Sequence, residues 1–529
     1  MTLTGTSFIA SERGSLHQPL FRALNPLTGE ELEPAYSPVS GEETEVAVGA
    51  AAEAFPLFAA TTAHTRATLL KTIAAKIDAL AEEIACRAHL ETALPMPRLR
   101  GEVARTTGQL RLFAGVLEEG SWLDARIDTA QPDRQPAPRA DLRSMLRPIG
   151  PVVVFGASNF PVAFSAAGGD TAAALAAGCP VIVKAHSAHP GTSELVATAI
   201  HQALAECSLP AGIYSLLYGA GSSTGATLVR HPKVRAVTFT GSLRAGRAIM
   251  DMAAARPEPI PCFMEMSSGN PFYLLPSALA NPVEMADGLF QSFTLGAGQF
   301  CTKPGIVFVT QSAAYEIFLK RLVERVAEAK PFTLLTRGIS GDYEKFSAHR
   351  ATQSRLAAEA PLASEQPAAP ARARLFTTTL DEFLAQPELA EEIFGPDTLL
   401  VLCSSPEEYR RSVPALAGQL TATVWGDTEE LTRHAALLTA LSDKAGRVLL
   451  NNYPTGVEVV SSMVHGGPYP ATSDSRFTSV GTQAIYRFVR PVCYQNYPAH
   501  LLPVELQNSN PLAIERLVDG KLSRDAILD

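Results

Sequence analysis

Residues Pro151–Pro190 read PVVVFGASNFPVAFSAAGGDTAAALAAGCPVIVKAHSAHP, two short β-branched runs separated by an Ala-rich segment of helical length. The same alternation continues to Met266. Strands are expected at Pro151–Gly156, Pro180–Lys184, Ile213–Tyr218, Val234–Phe239 and Pro261–Met266, with helices at Phe164–Ala177, Gly191–Ala205, Ser223–Arg230 and Leu243–Ala255. Strands that alternate with helices predict an α/β fold with a Rossmann-type, doubly wound parallel sheet. Ligands of such a sheet sit beyond the carboxyl ends of its strands.

Outward from this unit, Glu43 to Glu119 reads as a run of amphipathic Ala- and Leu-rich helices that pack onto the sheet. Residues 270 to 450 give a second set of helical and strand signals. The Ala- and Pro-rich segment Ala357–Arg374 is expected to be an exposed connecting loop. Ile485–Tyr494 alternates like an edge strand with a proline inside it. A length of 529 residues implies two or three packed units, and 46% apolar with 18% charged residues is a globular composition. No apolar run is long enough to span a membrane, and Met1–Ser11 lacks the pattern of a secretory signal, so a cytoplasmic location is expected. A net charge of −9 without a basic run argues against nucleic acid as a partner. The seven scattered cysteines form no CxxC pair, which points to reduced thiols and no metal site.

Four segments carry candidate chemistry. In GQFCTKPG, Cys301 sits in a Gly-flanked loop where a thiolate is accessible, although a buried thiol is the commoner role of a lone cysteine. In FMEMSSGNP, Glu265 ends an otherwise apolar strand, where burial tunes a carboxylate towards a general base; a surface carboxylate is the alternative. The turn GASNFP lies between strand and helix, so its amides and Asn159 can face a developing oxyanion; a plain turn asparagine is the competing role. In FTGSLRAGR the glycines allow close approach of a cofactor phosphate to a helix N-terminus.

In this order, FGASNFP, VIVKAHSAHP, FTGSLRAGR, FMEMSSGNP, GQFCTKPG and EEIFGP resemble the aldehyde dehydrogenase superfamily over about residues 20 to 500. The resemblance implies an NAD(P)-binding domain (1–137 and 152–267), a catalytic domain (268–465), and a small β oligomerisation element with a C-terminal tail (138–151 and 466–529). A homodimer or homotetramer is implied as well. It gives Cys301 the role of nucleophile, Glu265 that of base and Asn159 that of oxyanion donor. Lys184 is to contact the adenosine ribose, Gly241 and Ser242 the pyrophosphate, and Glu392 with Phe394 the nicotinamide ribose. Ala157 and Ser158 are assigned to the same cofactor side. The stretch from Met463 to Gln495 resembles more narrowly the 2-oxoglutarate semialdehyde (2,5-dioxopentanoate) dehydrogenases of sugar-acid breakdown, and a related fatty-aldehyde branch makes His465 an additional base or proton relay.

The sequence departs from the wider family at Ser267 and Ser268, where many members have glycine, so a differently tilted base is expected. Ser187 stands where NAD-preferring members have glutamate, and no acid follows the second strand until Glu194. NADP+ is therefore expected over NAD+, held by Lys184, Ser187 and Ser222, with His186 or His189 as a further cation. Other readings stay open: a medium- or long-chain fatty or other semialdehyde substrate, a CoA-acylating relative, or a noncatalytic relative of the same fold.

Overall fold

The computed structural model describes residues 2–528 apart from 363. Its first sheet runs in the order Cys262–Glu265, Ala236–Thr240, Val152–Phe155, Val181–Lys184, Tyr214–Leu217, then Phe8–Ile9 and Glu12–Arg13. The first five strands are parallel, and the two from the chain start join antiparallel. Every residue of Val152–Phe155, Val181–Lys184 and Tyr214–Leu217 is buried, as a parallel sheet covered on both faces requires. Gly41–Ala59, closed by a Ser40–Glu43 capping box, packs directly on this sheet, as do Gly169–Ala177 and Pro190–Glu206. The other helices that the Ala/Leu pattern predicts, Ala63–Ala79, Ala81–Thr92 and Met96–Glu119, pack on those last two and on one another as an outer layer and not on the sheet itself.

The second sheet has the order Arg355–Glu359, Arg374–Thr379, Asp397–Cys403, Ile306–Thr310, Pro271–Leu274, Gln419–Trp425 and Ala445–Leu450. All its neighbours are parallel except the edge pair Arg355–Glu359 with Arg374–Thr379. A third, small sheet joins Val489–Gln495, Leu142–Pro148, Arg126–Asp128, Arg516–Val518 and Lys521–Ser523. No helix among the described residues is long and apolar enough to cross a membrane.

Four expectations are corrected. The helix expected from Phe164 starts at Gly169, because the Phe164 carbonyl accepts from the Ala157 amide at 2.9 Å and the Gly168 amide donates to the Ser165 carbonyl at 3.0 Å, so the first helical bond is not made. The segment Ala357–Arg374 is not an exposed loop throughout: its start lies in the edge strand Arg355–Glu359, Pro370–Ala371 pairs with Phe332–Thr333, and Ala360, Ala369, Ala371 and Ala373 are buried. Small side chains there fill the interior rather than cover a linker. Thr482–Phe488 is a 3-10 turn that buries Ile485 and Phe488, so the edge strand begins only at Val489. The small sheet also takes in Arg126–Asp128, ahead of the boundary expected at 138.

One buried carboxylate ties the outer helical layer to the helix that follows the second strand. Glu91 is fully buried and accepts bonds from the Gly191 and Thr192 amides at 2.8 and 2.9 Å, from the Thr192 hydroxyl at 2.7 Å, and from Arg87 Nε at 2.9 Å. It thereby satisfies the free amides at the start of helix Pro190–Glu206, which follows the second strand. Glu91→Leu strands those amides and the Arg87 charge, and is expected to cost roughly 3 kcal/mol of unfolding free energy in urea titrations. A loss below about 1 kcal/mol would refute this account of the tie.

Candidate active site

Three segments meet where the two large sheets adjoin. The strand Cys262–Glu265 delivers Glu265 at its end, and the chain then crosses through Ser268 and Asn270 into the first strand of the second sheet. Cys301 lies between helix Pro282–Thr294 and strand Ile306–Thr310, in a loop bent by left-handed residues at Gly296, Ala297 and Gly298. Glycine is required at position 298: its φ is +69°, and a Cβ there would lie 2.1 Å from the Gly395 carbonyl oxygen. The GQFCTKPG loop thus touches the EEIFGP segment backbone to backbone.

Asn270 fastens this loop. Its side-chain amide donates to the carbonyls of Cys301 at 2.9 Å and Lys303 at 3.0 Å, while its oxygen accepts from Thr421. Lys303 is buried against Asp397 and donates to the Ile393 and Gly395 carbonyls at 2.7 and 3.0 Å; Asp397 also accepts from Arg350 at 3.0 Å.

Glu265, Cys301 and His465, all predicted, are brought together. His465 Nε2 donates to Glu265 Oε1 at 2.8 Å and lies 3.4 Å from Cys301 Sγ. Ser479 Oγ donates to Glu265 Oε2 at 2.9 Å, a partner that sequence reasoning missed. Burial pushes the Glu265 carboxyl up, but the charge and hydrogen bond of His465, with the bonds from Ser479 and Cys301, outweigh it and hold the group below its ordinary range. Cys301 shows the opposite: burial, then the charge of Glu265 and its hydrogen bond, push the thiol well above its ordinary value, against the pull of Arg105. With no substrate present, the proton therefore rests on sulfur.

Asn159 is buried, its carboxamide donating to the Gln299 carbonyl at 2.9 Å, two residues before Cys301. Arg98 donates to the Asn159 carbonyl at 2.7 Å and stacks between Phe160 and Phe300. Arg105 and Arg447, also missed, both bind the loop that leads to His465. Arg105 donates to the Val457 carbonyl, and Arg447 to Gly456 and Pro454 at 2.9 and 2.6 Å. Each guanidinium keeps a buried Nε without a protein partner, and each lies close enough to Cys301 to couple electrostatically to a thiolate there.

The predicted cofactor residues line the carboxyl ends of the first sheet. Ser187, Ser222, Gly241 and Ser242 are exposed, Ser158 is half-buried, and Ala157 is buried. Ser242 also caps helix Leu243–Ala254. Lys184 is buried, which lowers its ammonium to about 8. Neither His186 nor His189 supplies the extra cation expected: burial holds both below the usual imidazole range, and His189 points its Nε2 at the Ala157 carbonyl, 2.8 Å away. Glu194 is spoken for, accepting from the Thr4 amide at 2.9 Å, the Gly5 amide at 3.1 Å and Arg13. Glu392 is raised to about 7 by burial and accepts from the Ser268 amide at 3.3 Å, and Phe394 is half-buried nearby in sequence. The Ser268 hydroxyl is engaged by Asn270, Gln419 and the Leu420 amide of the second sheet.

This arrangement of a loop thiol, a strand-end carboxylate and a Rossmann-type sheet defines an oxidoreductase fold, and residues 14–469 match the aldehyde dehydrogenase family, to which the chain belongs. It is 48% identical to alpha-ketoglutaric semialdehyde dehydrogenase 2 of Azospirillum brasilense, over 98% of this chain and 100% of the relative. It is 44% identical to alpha-ketoglutaric semialdehyde dehydrogenase of Acinetobacter baylyi, over 98% and 99%. The fold is shared with an aldehyde dehydrogenase of Bacillus cereus solved as an NAD+ complex (TM-score 0.78, 24% identity, 93% of this chain and 96% of that one).

The carboxylate's hold on the thiol is measurable. Glu265→Gln removes a charge and a carboxylate acceptor that both raise Cys301, so the pH profile of Cys301 alkylation by iodoacetamide, followed on its own peptide in cofactor-free protein, should move to lower pH. An unchanged profile, or one moved to higher pH, would show that Glu265 does not keep the thiol protonated.

Proposed function

We propose that this chain oxidises 2-oxoglutarate semialdehyde to 2-oxoglutarate with NADP+, using Cys301 as nucleophile. The observation that carries the reaction type is the contact of Cys301, His465 and Glu265, a nucleophile within reach of a carboxylate that a histidine orients. The substrate follows from the two relatives so named, aligned over nearly the whole chain. Arg105 and Arg447 support it, since a cationic side to the thiol suits an aldehyde that carries a carboxylate.

On this reading Glu265 accepts the Cys301 proton as sulfur attacks the aldehyde carbon, and the Asn159 carboxamide with the Cys301 amide steadies the oxyanion. The bound nicotinamide supplies the hydride acceptor. Once Glu265 has passed the thiol proton to solvent, it takes a proton from the water that hydrolyses the Cys301 thioester and so frees the sulfur, with His465 holding its carboxylate in place. Lys184, Ser187, Ser222, Gly241 and Ser242, with Ala157 and Ser158, fit a dinucleotide because they gather at strand ends where Glu194 is already engaged. Glu392 and Phe394 would meet its nicotinamide ribose. The domains lie at about 1–125 with 152–267, 268–465, and a small sheet that takes in 126–151 and the tail from 466. The protein is a cytoplasmic homodimer or homotetramer assembled through that small sheet.

Comparing kcat/KM for 2-oxoglutarate semialdehyde, succinate semialdehyde, glutaraldehyde and a long aliphatic aldehyde tests the substrate. The first should lead, Cys301→Ala should turn over none, and Arg447→Met should lower kcat/KM roughly ten- to hundredfold for the carboxylated aldehydes alone. A long aliphatic aldehyde in the lead would overturn the substrate reading. For the cofactor, kcat/KM should be higher with NADP+ than with NAD+, and Ser187→Glu should reverse the order; a higher value for NAD+ in the unaltered protein would refute it.

A further inference from the structure

Glu265, Cys301 and His465 present a carboxylate oxygen, a sulfur and an imidazole nitrogen that all lie within 4.8 Å of one another, the one such group of three metal-ligand types among the described residues. We propose that these side chains form a Zn2+ site, through which zinc reversibly blocks the enzyme by occupying its nucleophile. This goes beyond the aldehyde reaction, which uses none of the three as a metal ligand.

The argument is geometric. Zinc binds thiolate at about 2.3 Å and imidazole nitrogen at about 2.0–2.1 Å, so tetrahedral ligands of these two kinds stand about 3.5 Å apart. Cys301 Sγ and His465 Nε2 stand 3.4 Å apart without adjustment. The 2.8 Å between His465 Nε2 and Glu265 Oε1 is a hydrogen bond and has to open by about half an ångström, since nitrogen and oxygen ligands of one zinc lie about 3.3 Å apart. The ion compensates the lost bond by direct coordination to both atoms. Sulfur, nitrogen and oxygen on one centre are a donor set suited to zinc, whereas magnesium and calcium call for oxygen ligands.

The surroundings complete the site. Ser479 Oγ donates to the second oxygen of Glu265 at 2.9 Å and orients that ligand, and the Thr478 hydroxyl accepts from the His465 backbone amide at 2.8 Å, which fixes the main chain that carries the imidazole. His465 and Glu265 are almost wholly buried, while Cys301 is half-buried and gives the route of entry. Three protein ligands leave one tetrahedral position for water. On binding, the Cys301 S–H bond breaks and a S–Zn bond forms, with the proton released to solvent. The His465 Nε2–H bond breaks as the N–Zn bond forms, its proton leaves to solvent and the ring keeps or takes up its proton on Nδ1, and no atom changes oxidation state.

Co2+ serves as a visible stand-in for zinc in equilibrium dialysis and absorption spectra of the full-length, cofactor-free protein. One Co2+ per chain is expected, with a thiolate-to-cobalt band in the near ultraviolet, and Zn2+ should displace it. Zinc should also abolish NADP+-dependent turnover, and chelation should restore it. Cys301→Ser should lose the band, and Ser479→Ala should weaken binding by about tenfold through the second layer alone. The surface thiols Cys86 and Cys493 are the competing sites. A band that persists in Cys301→Ser, bound cobalt with no thiolate band in the unaltered protein, or no bound cobalt would each overturn the proposal. Because the readout is absorbance, it stands or falls separately from the choice of aldehyde.

Discussion

The Asn270 carboxamide, donating at once to the Cys301 and Lys303 carbonyls, binds the start of the second sheet to the loop that carries the thiol. Asn270 itself takes a left-handed φ of 48°, which asparagine tolerates better than most residues. The loop then reaches the EEIFGP segment through Lys303, whose ammonium is buried against Asp397 and ringed by carbonyls. A buried pair of this kind adds little net stability over an apolar equivalent, but removing one partner is severe. Its value here lies in position: sulfur, carboxylate and the proposed cofactor ribose contacts come from segments whose spacing this network fixes. Catalytic geometry tolerates errors of well under an ångström, which a free loop would not hold.

Within that frame the electrostatics favour one resting proton arrangement. The carboxylate is stabilised by three donors and the thiol is disfavoured as an anion by the same carboxylate. The pair therefore titrates as a unit, and a reactive thiolate arises only when something shares or takes the proton. Such a site guards sulfur against adventitious oxidation, since the thiolate is the form that oxidants attack.

Much of the architecture was legible in the chain because parallel strands buried on both faces leave continuous apolar runs. Val152–Phe155, Val181–Lys184 and Tyr214–Leu217 each fall inside the run expected for them. What failed was local structure set by distant partners. The turn before Gly169 is held by the Ala157 amide on the Phe164 carbonyl and by Glu102 on the Val162 and Ala163 amides, and the alanines of 360–373 are buried by a sheet edge that composition does not reveal. At the site, Cys301, Glu265 and Asn159 stand in short motifs, and His465 in a recognisable tail. Ser479, Arg105 and Arg447 carry no local signature, because each acquires its place only through the folded loop that runs from Pro454 onward. The supposed charge on His186 and His189 failed for a different reason: a sequence does not show how deeply a ring is desolvated.

Glu194 joins two properties that evolution would otherwise vary apart. It is the first acid after the second strand, and it is engaged by the amides of Thr4 and Gly5 and by Arg13, residues that lead into and form the antiparallel edge of the first sheet. Edge closure and the charge balance around the helix that follows the second strand therefore share one side chain. A change of cofactor preference by mutation at this position would have to re-anchor the edge as well. Position 187, exposed and free of that duty, is the cheaper place for such a drift to begin.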